Sequence, residues 1–167
     1  TNSFVVTINE VNVAPVFAGT PANQTIAELV ALTVTNAATD GDVPANALTY
    51  QLVNAPSGAI VSTNGVITWT PTEAQGPSTN TITTVVSDGV ASVTNSFVVT
   101  VTEVNVAPVF AGTPANQTIA ELAALTVTNA AADGDVPANT LTYQLVNAPS
   151  GATVSTNGVI TWTPAEA

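Results

Sequence analysis

Every charged side chain in this sequence is a carboxylate. Glu10, Glu28, Asp40, Asp42, Glu73, Asp88, Glu103, Glu121, Asp133, Asp135 and Glu166 give a net charge of −11, and Lys, Arg, His, Cys and Met are all absent. The chemistry open to such a set is narrow. Carboxylate, amide and backbone carbonyl oxygens suit hard divalent cations, and Ca²⁺ takes about six to eight of them. Zinc or copper would need His or Cys ligands. A Ser or Thr nucleophile would lack a His or Lys base. Nucleic acid is excluded because nothing can neutralise its phosphates. Attraction to anionic lipid fails for the same reason. Asp40 and Asp42 could suggest a glycosidase pair, yet two acids on one short loop cannot straddle a substrate. The reading is a protein that is not an enzyme, with calcium as the expected cofactor. The missing lysine excludes isopeptide cross-links, and the missing cysteine excludes disulfides.

The acids recur because the sequence does. Thr1-Asn2-Ser3-Phe4-Val5-Val6-Thr7 returns as Thr94-Asn95-Ser96-Phe97-Val98-Val99-Thr100, an offset of 93 residues that holds to the end of the chain. Seven of the 74 overlapping positions differ: Ile8/Val101, Asn9/Thr102, Val30/Ala123, Thr39/Ala132, Ala47/Thr140, Ile60/Thr153 and Thr72/Ala165. No carboxylate is among them. A unit of this size is a small independent domain rather than one turn of a solenoid.

The elements that must position the acids read as β throughout. Residues 31–35 alternate with Leu32 and Val34 inward, and residues 48–52 with Leu48, Tyr50 and Leu52 inward. After the Asn64-Gly65 turn, a hairpin signal, residues 66–70 put Ile67 and Trp69 on one face. Residues 82–86 and 97–101 supply the last two strands. Pro15, Pro21, Pro44, Pro56, Pro71 and Pro77 fall between these runs, where a missing N–H does no harm. Short strands punctuated by turns indicate an all-β sandwich, with Trp69, Trp162, Tyr50 and Tyr143 in the core rather than forming sugar-stacking platforms. The domains implied are residues 1–11, the last strand of a preceding repeat; 12–104, a complete repeat; and 105–167, a second repeat lacking its last two strands. The chain then reads as a window on a longer array. The other reading makes residues 1–11 a strand donated to an incomplete neighbour. Asn23-Gln24-Thr25 and Asn116-Gln117-Thr118 match the short N-glycosylation acceptor.

No acid is placed in mid-strand. All fall at strand ends, turns or the inter-repeat linker, so they can gather at the poles of a sandwich. Like charges gathered there repel unless cations neutralise them.

Several segments resemble cadherins and, more specifically, the bacterial cadherin-like or immunoglobulin-like tandem repeats of large surface proteins. Glu10-Val11-Asn12-Val13-Ala14-Pro15 looks like their inter-domain linker. Asp40-Gly41-Asp42 with Asn46 resembles their Asp-x-Asp loop, and Ser87-Asp88-Gly89 their later Asp-x-Gly turn. Glu28 stands where the family has an early Glu, and Glu73 where it has the Glu of Asp-Arg-Glu. Ala55-Pro56-Ser57-Gly58 and Gly65-Val66-Ile67-Thr68-Trp69 look like the bacterial branch. The resemblance implies a seven-stranded Greek-key sandwich in tandem repeats of 93 residues. It implies two calcium-ligand sets. One joins Glu10, Asn12, Asp40, Asp42, Asn46 and Asp88; the other joins Glu28, Glu73, Glu103, Asn105, Asp133, Asp135 and Asn139. Glu121 and Glu166 repeat Glu28 and Glu73. Pro71 and Val13 replace two acids of the family pattern, which points to one or two ions per junction.

The function so implied is a structural, calcium-stiffened module of an extracellular stalk, adhesin or filament on a bacterial surface. Its partners are neighbouring repeats of the same chain or like subunits in a fibre, without membrane insertion. The alternatives are a glycan-binding or adhesive recognition module and a spacer domain of a secreted enzyme.

Overall fold

The structure, a computed structural model, describes residues 1–166 and separates into two compact units, Thr1–Glu103 and the residues from Val104 onward. The first unit contains β1 (Val16–Phe17), β2 (Gln24–Ala27), β3 (Leu32–Thr35), β4 (Ala38–Thr39), β5 (Thr49–Val53), β6 (Ile60–Val61) and β7 (Val66–Trp69). A single 3-10 turn, Glu73–Gln75, then leads to β8 (Ser78–Ser87) and β9 (Ser92–Thr102). One sheet has the order β2-β9-β8-β5, a second β3-β7-β6, and β1 pairs with β4. All ladders are antiparallel except β2–β9, which runs parallel with Ala27 opposite Thr102.

The alternation of the sequence decides which faces meet. Ile82 of β8 and Phe97, Val99 and Val101 of β9 point inward from the first sheet, against Leu32 of β3 and Ile67 and Trp69 of β7 from the second. Each such side chain stabilises the fold by about 1.5–3 kcal/mol on burial. Trp69 is 2% exposed and its indole N–H donates to Ser57 O at 3.2 Å, so its one polar atom is satisfied inside. A polar tie also crosses between the sheets. Asn36, just after β3, donates to Thr84 Oγ1 on β8 at 3.1 Å and accepts from Asn95 Nδ2 on β9 at 3.1 Å. Gly65 (φ 74°) is pressed against this point: a Cβ there would lie 2.7 Å from Asn36 O, so no other residue fits the turn.

The second unit contains β10 (Val109–Phe110), β11 (Leu125–Thr128), β12 (Ala131–Ala132), β13 (Thr153–Val154) and β14 (Val159–Trp162). Its ladders, β10–β12 and β11-β14-β13, repeat those of β1–β4 and β3-β7-β6. Residues 117–120 and 142–146 have the sequences of β2 and β5 yet form no strand. Their ladder partners in the first unit are β9 and β8, which have no counterpart among the described residues of the second. Trp162 is accordingly only half-buried. Residues 1–11 also carry no ladder: Phe4 is 88% exposed, whereas Phe97, its equivalent in β9, is 2% exposed. No helix among the described residues is long and apolar enough to cross a membrane.

Candidate metal centre

The first unit gathers its acids at two ends. β9 runs from one to the other, and its 11 residues at about 3.3 Å each set them roughly 35 Å apart.

At the end where β9 starts, three loops converge: the segment before β1, the loop after β4, and the β8–β9 turn. Asn12 donates to Asp88 Oδ2 at 3.0 Å. Asn46 Nδ2 lies between Asn12 Oδ1 at 3.1 Å and Asp42 Oδ2 at 3.0 Å. Asp42 Oδ1 accepts from Val13 N at 2.8 Å. Asp40 Oδ1 accepts from the backbone N–H of Asp42 at 3.1 Å and of Asn46 at 3.0 Å. Asp88 Oδ1 accepts from Ala91 N at 2.6 Å and Val90 N at 2.7 Å; the Ala91 bond first, then the Asn12 amide and the Val90 bond, hold its carboxyl below the usual range. Glu10 is pushed the other way, first by desolvation and then by the negative charges of Asp42 and Asp40. Six residues expected to act together, Glu10, Asn12, Asp40, Asp42, Asn46 and Asp88, thus form one oxygen-rich nest in which only amides supply positive dipoles.

This nest passes a test of fit for a hard cation. Asp40 Oδ2 is buried and makes no hydrogen bond. A buried acceptor left unmade costs about 1–3 kcal/mol, more when it is charged. The side chains of the nest offer only carboxylate and amide oxygens as ligand atoms, the set that suits Ca²⁺ and not softer metals.

At the other end, parallel pairing does the positioning. β2 and β9 finish side by side, so the next residues, Glu28 and Glu103, leave the sheet together; Glu28 N donates to Thr102 O at 3.0 Å. Glu73 opens the 3-10 turn, held by Thr72 N donating to Gln75 Oε1 at 2.9 Å. Leu29 N donates to Pro71 O at 2.8 Å, tying the Glu28 corner to the chain ahead of Glu73. Leu29 takes φ 61°, and Leu122 repeats it; a left-handed Leu costs about 1–2 kcal/mol, a strain kept beside the acid in both units. The result brings carboxylate oxygens of Glu28, Glu73 and Glu103 within 4.8 Å of one another. Glu28 is 1% exposed, the other two half-buried. At an effective dielectric near 20, each such pair repels by about 3.5 kcal/mol. With no Lys, Arg or His in the chain, no cationic side chain offsets this repulsion. Gly76 walls the cluster: a Cβ there would lie 2.1 Å from Glu28 Oε2.

The second unit rebuilds the nest. Asn139 Nδ2 donates to Asn105 Oδ1 at 2.9 Å and to Asp135 Oδ2 at 2.5 Å. Asp135 Oδ1 accepts from Val106 N at 2.7 Å, and Asp133 Oδ1 accepts from Asn139 N at 2.9 Å. Glu121 and Glu166 are both exposed and no third carboxylate joins them among the described residues. Sequence reasoning passed over Val13 and Val106, whose backbone N–H groups hold the central aspartates. It also passed over Gly76 and the tie through Asn36, Thr84 and Asn95.

No protein-family model and no curated protein sequence matches the chain. Among solved structures, an endo-fucoidan hydrolase of glycoside hydrolase family 107 is similar over 90% of this chain and 24% of its own, at 21% identity and TM-score 0.46. Human protocadherin-24 EC1-2 is similar over 93% of this chain and 79% of its own, at 21% identity and TM-score 0.44. A SusE-like surface-located polysaccharide-binding protein of Bacteroides thetaiotaomicron is similar over 55% of this chain and 16% of its own, at 16% identity and TM-score 0.44. The chain thus spans about a quarter of the hydrolase. The β-sandwich assignment rests on the ladders and core described above.

Proposed function

We propose that this chain is a non-catalytic structural module of an extracellular bacterial array, and that Ca²⁺ bound at its ends stiffens successive modules. The finer classification, a cadherin-like Greek-key repeat, belongs to the same reading. One observation carries it: a chain without a single cationic side chain concentrates its acids at the two ends of its first unit, one end with three carboxylates inside 4.8 Å.

The residues divide the work. Glu28, Glu73 and Glu103 would hold an ion at the end of one module. Two residues further along the chain, Asn105 begins the set that Asp133, Asp135 and Asn139 complete in the next. A bound divalent ion supplies charge neutralisation and a preference for the folded state. Pro108 restricts the backbone just beyond the linker. Backbone N–H groups of Val106 and Asn139 already hold Asp135 and Asp133 in place, so little ordering remains when a ligand arrives. Trp69, buried in the core, is no platform for a sugar.

The test is a thermal scan with X-ray scattering, in calcium, in magnesium and in chelator. Calcium is expected to raise the melting temperature and narrow the distribution of interdomain distances. At a free concentration of 100 times Kd, one site adds about 2.7 kcal/mol. An unchanged melt and an unchanged scattering profile would overturn the proposal.

A further inference from the structure

The turn between β6 and β7 makes unequal demands on its two central residues. Gly65 is buried with φ 74°, and a Cβ there would lie 2.7 Å from Asn36 O and 3.0 Å from Tyr50 Cε1, so only glycine fits. Asn64 before it is exposed and lies outside the left-handed region, so no backbone demand selects an asparagine. The second unit repeats the pair as Asn157-Gly158, where Gly158 has φ 74° and a Cβ would lie 2.6 Å from Asn129 O. We propose that Asn64 and Asn157 are sites of spontaneous conversion to aspartate and isoaspartate, at a rate set by the hydrogen bonds of the turn.

The nucleophile is the backbone nitrogen of Gly65 and the electrophile is Cγ of the Asn64 amide. Their bonding closes a five-membered imide. The Cγ–Nδ2 bond breaks, and Nδ2 leaves as ammonia with the proton that the Gly65 nitrogen gives up. Water then adds to one of the two imide carbonyls. Opening at Cγ leaves aspartate with the main chain unaltered, whereas opening at the main-chain carbonyl leaves isoaspartate, with the chain running through Cβ and Cγ. The net change is one ammonia lost, one water gained and one carboxylate added. Glycine has no Cβ to hinder its own nitrogen, so the packing that demands Gly65 also makes Asn64 the most open to this attack.

The closed turn restrains the step. Gly65 N donates to Ser62 O at 3.0 Å, and Ser62 Oγ accepts from the N–H of Asn64 at 3.3 Å and of Val66 at 3.1 Å. A donating nitrogen pinned beneath Asn36 cannot swing onto Cγ, so the turn must open first, a local event that needs less than global unfolding. Isoaspartate then lengthens the backbone where there is least room. Gly65 sits against Asn36, whose side chain ties Thr84 to Asn95, so this product should loosen the sandwich. The aspartyl product keeps the backbone and only adds charge.

The chain has no Lys or Arg, so cleavage after glutamate maps the products: cuts at Glu28 and Glu73 release residues 29–73, which hold Asn64 together with Asn54. The intact chain, aged for weeks at mildly alkaline pH, should gain aspartate and isoaspartate at Asn64 and Asn157. Mass spectrometry and labelling by an isoaspartyl methyltransferase read both products. Asn54, equally exposed but followed by Ala55, should convert several times more slowly. Ser62→Ala should speed conversion at Asn64 several-fold without changing Asn157, and Ser62→Thr, which keeps the hydroxyl, should age like wild type. Unfolding in urea should speed both sites and erase the effect of Ser62→Ala. Conversion at Asn64 no faster than at Asn54, or equal rates in folded wild type and Ser62→Ala, would overturn the proposal.

Discussion

Replacing Glu28 by Gln separates a stabilising ion pair from a repulsion held for a ligand. The substitution keeps the side chain's size and removes one charge from the triad. Two of its three close carboxylate pairs then disappear, each with oxygens within 4.8 Å. At an effective dielectric near 20 each pair costs about 3.5 kcal/mol, and in bulk water about 0.9 kcal/mol. Glu28 is buried but Glu73 and Glu103 are half-exposed, so solvent screening moves the gain toward the lower limit, about 2 kcal/mol. For a domain of this size 1 kcal/mol is worth about 4–8 °C, so the metal-free melting temperature should rise by about 10 °C. In saturating calcium the sign of the comparison changes, because the variant has lost a ligand, and its calcium-induced shift should be much smaller than the wild-type shift. Differential scanning calorimetry in chelator and in calcium reads both quantities. A variant that melts lower than wild type in chelator, with the calcium increment intact, would show that Glu28 is an ordinary structural acid.

Gly76→Ala should act on the same cluster through shape. Its Cβ would lie 2.1 Å from Glu28 Oε2, so the fold should lose about 1–3 kcal/mol and calcium should bind more weakly by titration calorimetry. Metal-free stability should pass through a maximum as pH falls. The raised Glu10 carboxyl binds its proton more tightly in the folded state, so stability grows as pH drops through its folded value. The lowered Asp88 carboxyl contributes stability above about pH 4, which is lost as pH falls further through its folded value; in chelator-treated melts across the acid range a monotonic fall would refute the Glu10 direction and a monotonic rise the Asp88 direction. Trp69→Ala should cost about 3–5 kcal/mol, and Trp162→Ala clearly less, because Trp69 packs between two sheets whereas Trp162 is half-buried. Calorimetry of the two single variants should therefore show unequal losses, and equal ones would contradict the difference in packing.

Local pattern made much of the first unit readable. The alternating runs at residues 31–35, 48–52, 66–70, 82–86 and 97–101 fall on β3, β5, β7, β8 and β9, because alternation follows directly from burying one face of a strand. The two-residue strands β1, β4 and β6 were not legible; such short ladders are fixed by their partners rather than by their own residues. β8 and β9 extend beyond the apolar runs, to Ser78 and Ser92, where Ser, Thr and Asn continue a hairpin whose ladder is already set. Of the site, the nest around Asp40 and Asp42 was visible as a sequence constellation. The closeness of Glu28 to Glu103 was not, because it depends on two strands 75 residues apart ending together in a parallel ladder. The tie through Asn36 was hidden for a like reason: an Asn beside an apolar run carries no sign of which distant side chains will satisfy it.

The two units make this dependence concrete. Gln-Thr-Ile-Ala is a strand at residues 24–27 and forms none at 117–120, and Thr-Asn-Ser-Phe-Val-Val-Thr is buried in β9 yet exposed at residues 1–7. Intrinsic preference is the same in each pair, so the difference is entirely one of partners, as expected when cross-strand contacts rather than backbone propensity stabilise a sheet. The acids follow the same logic from the other side. The nest of Asp40 and Asp42 reappears at Asp133 and Asp135 because its loops hang from the β1–β4 ladder, which both units possess. The carboxylate triad hangs from the β2–β9 ladder of the first unit. Among the described residues of the second unit Glu121 and Glu166 are exposed, and the repeat position that corresponds to Glu103 is not part of the sequence.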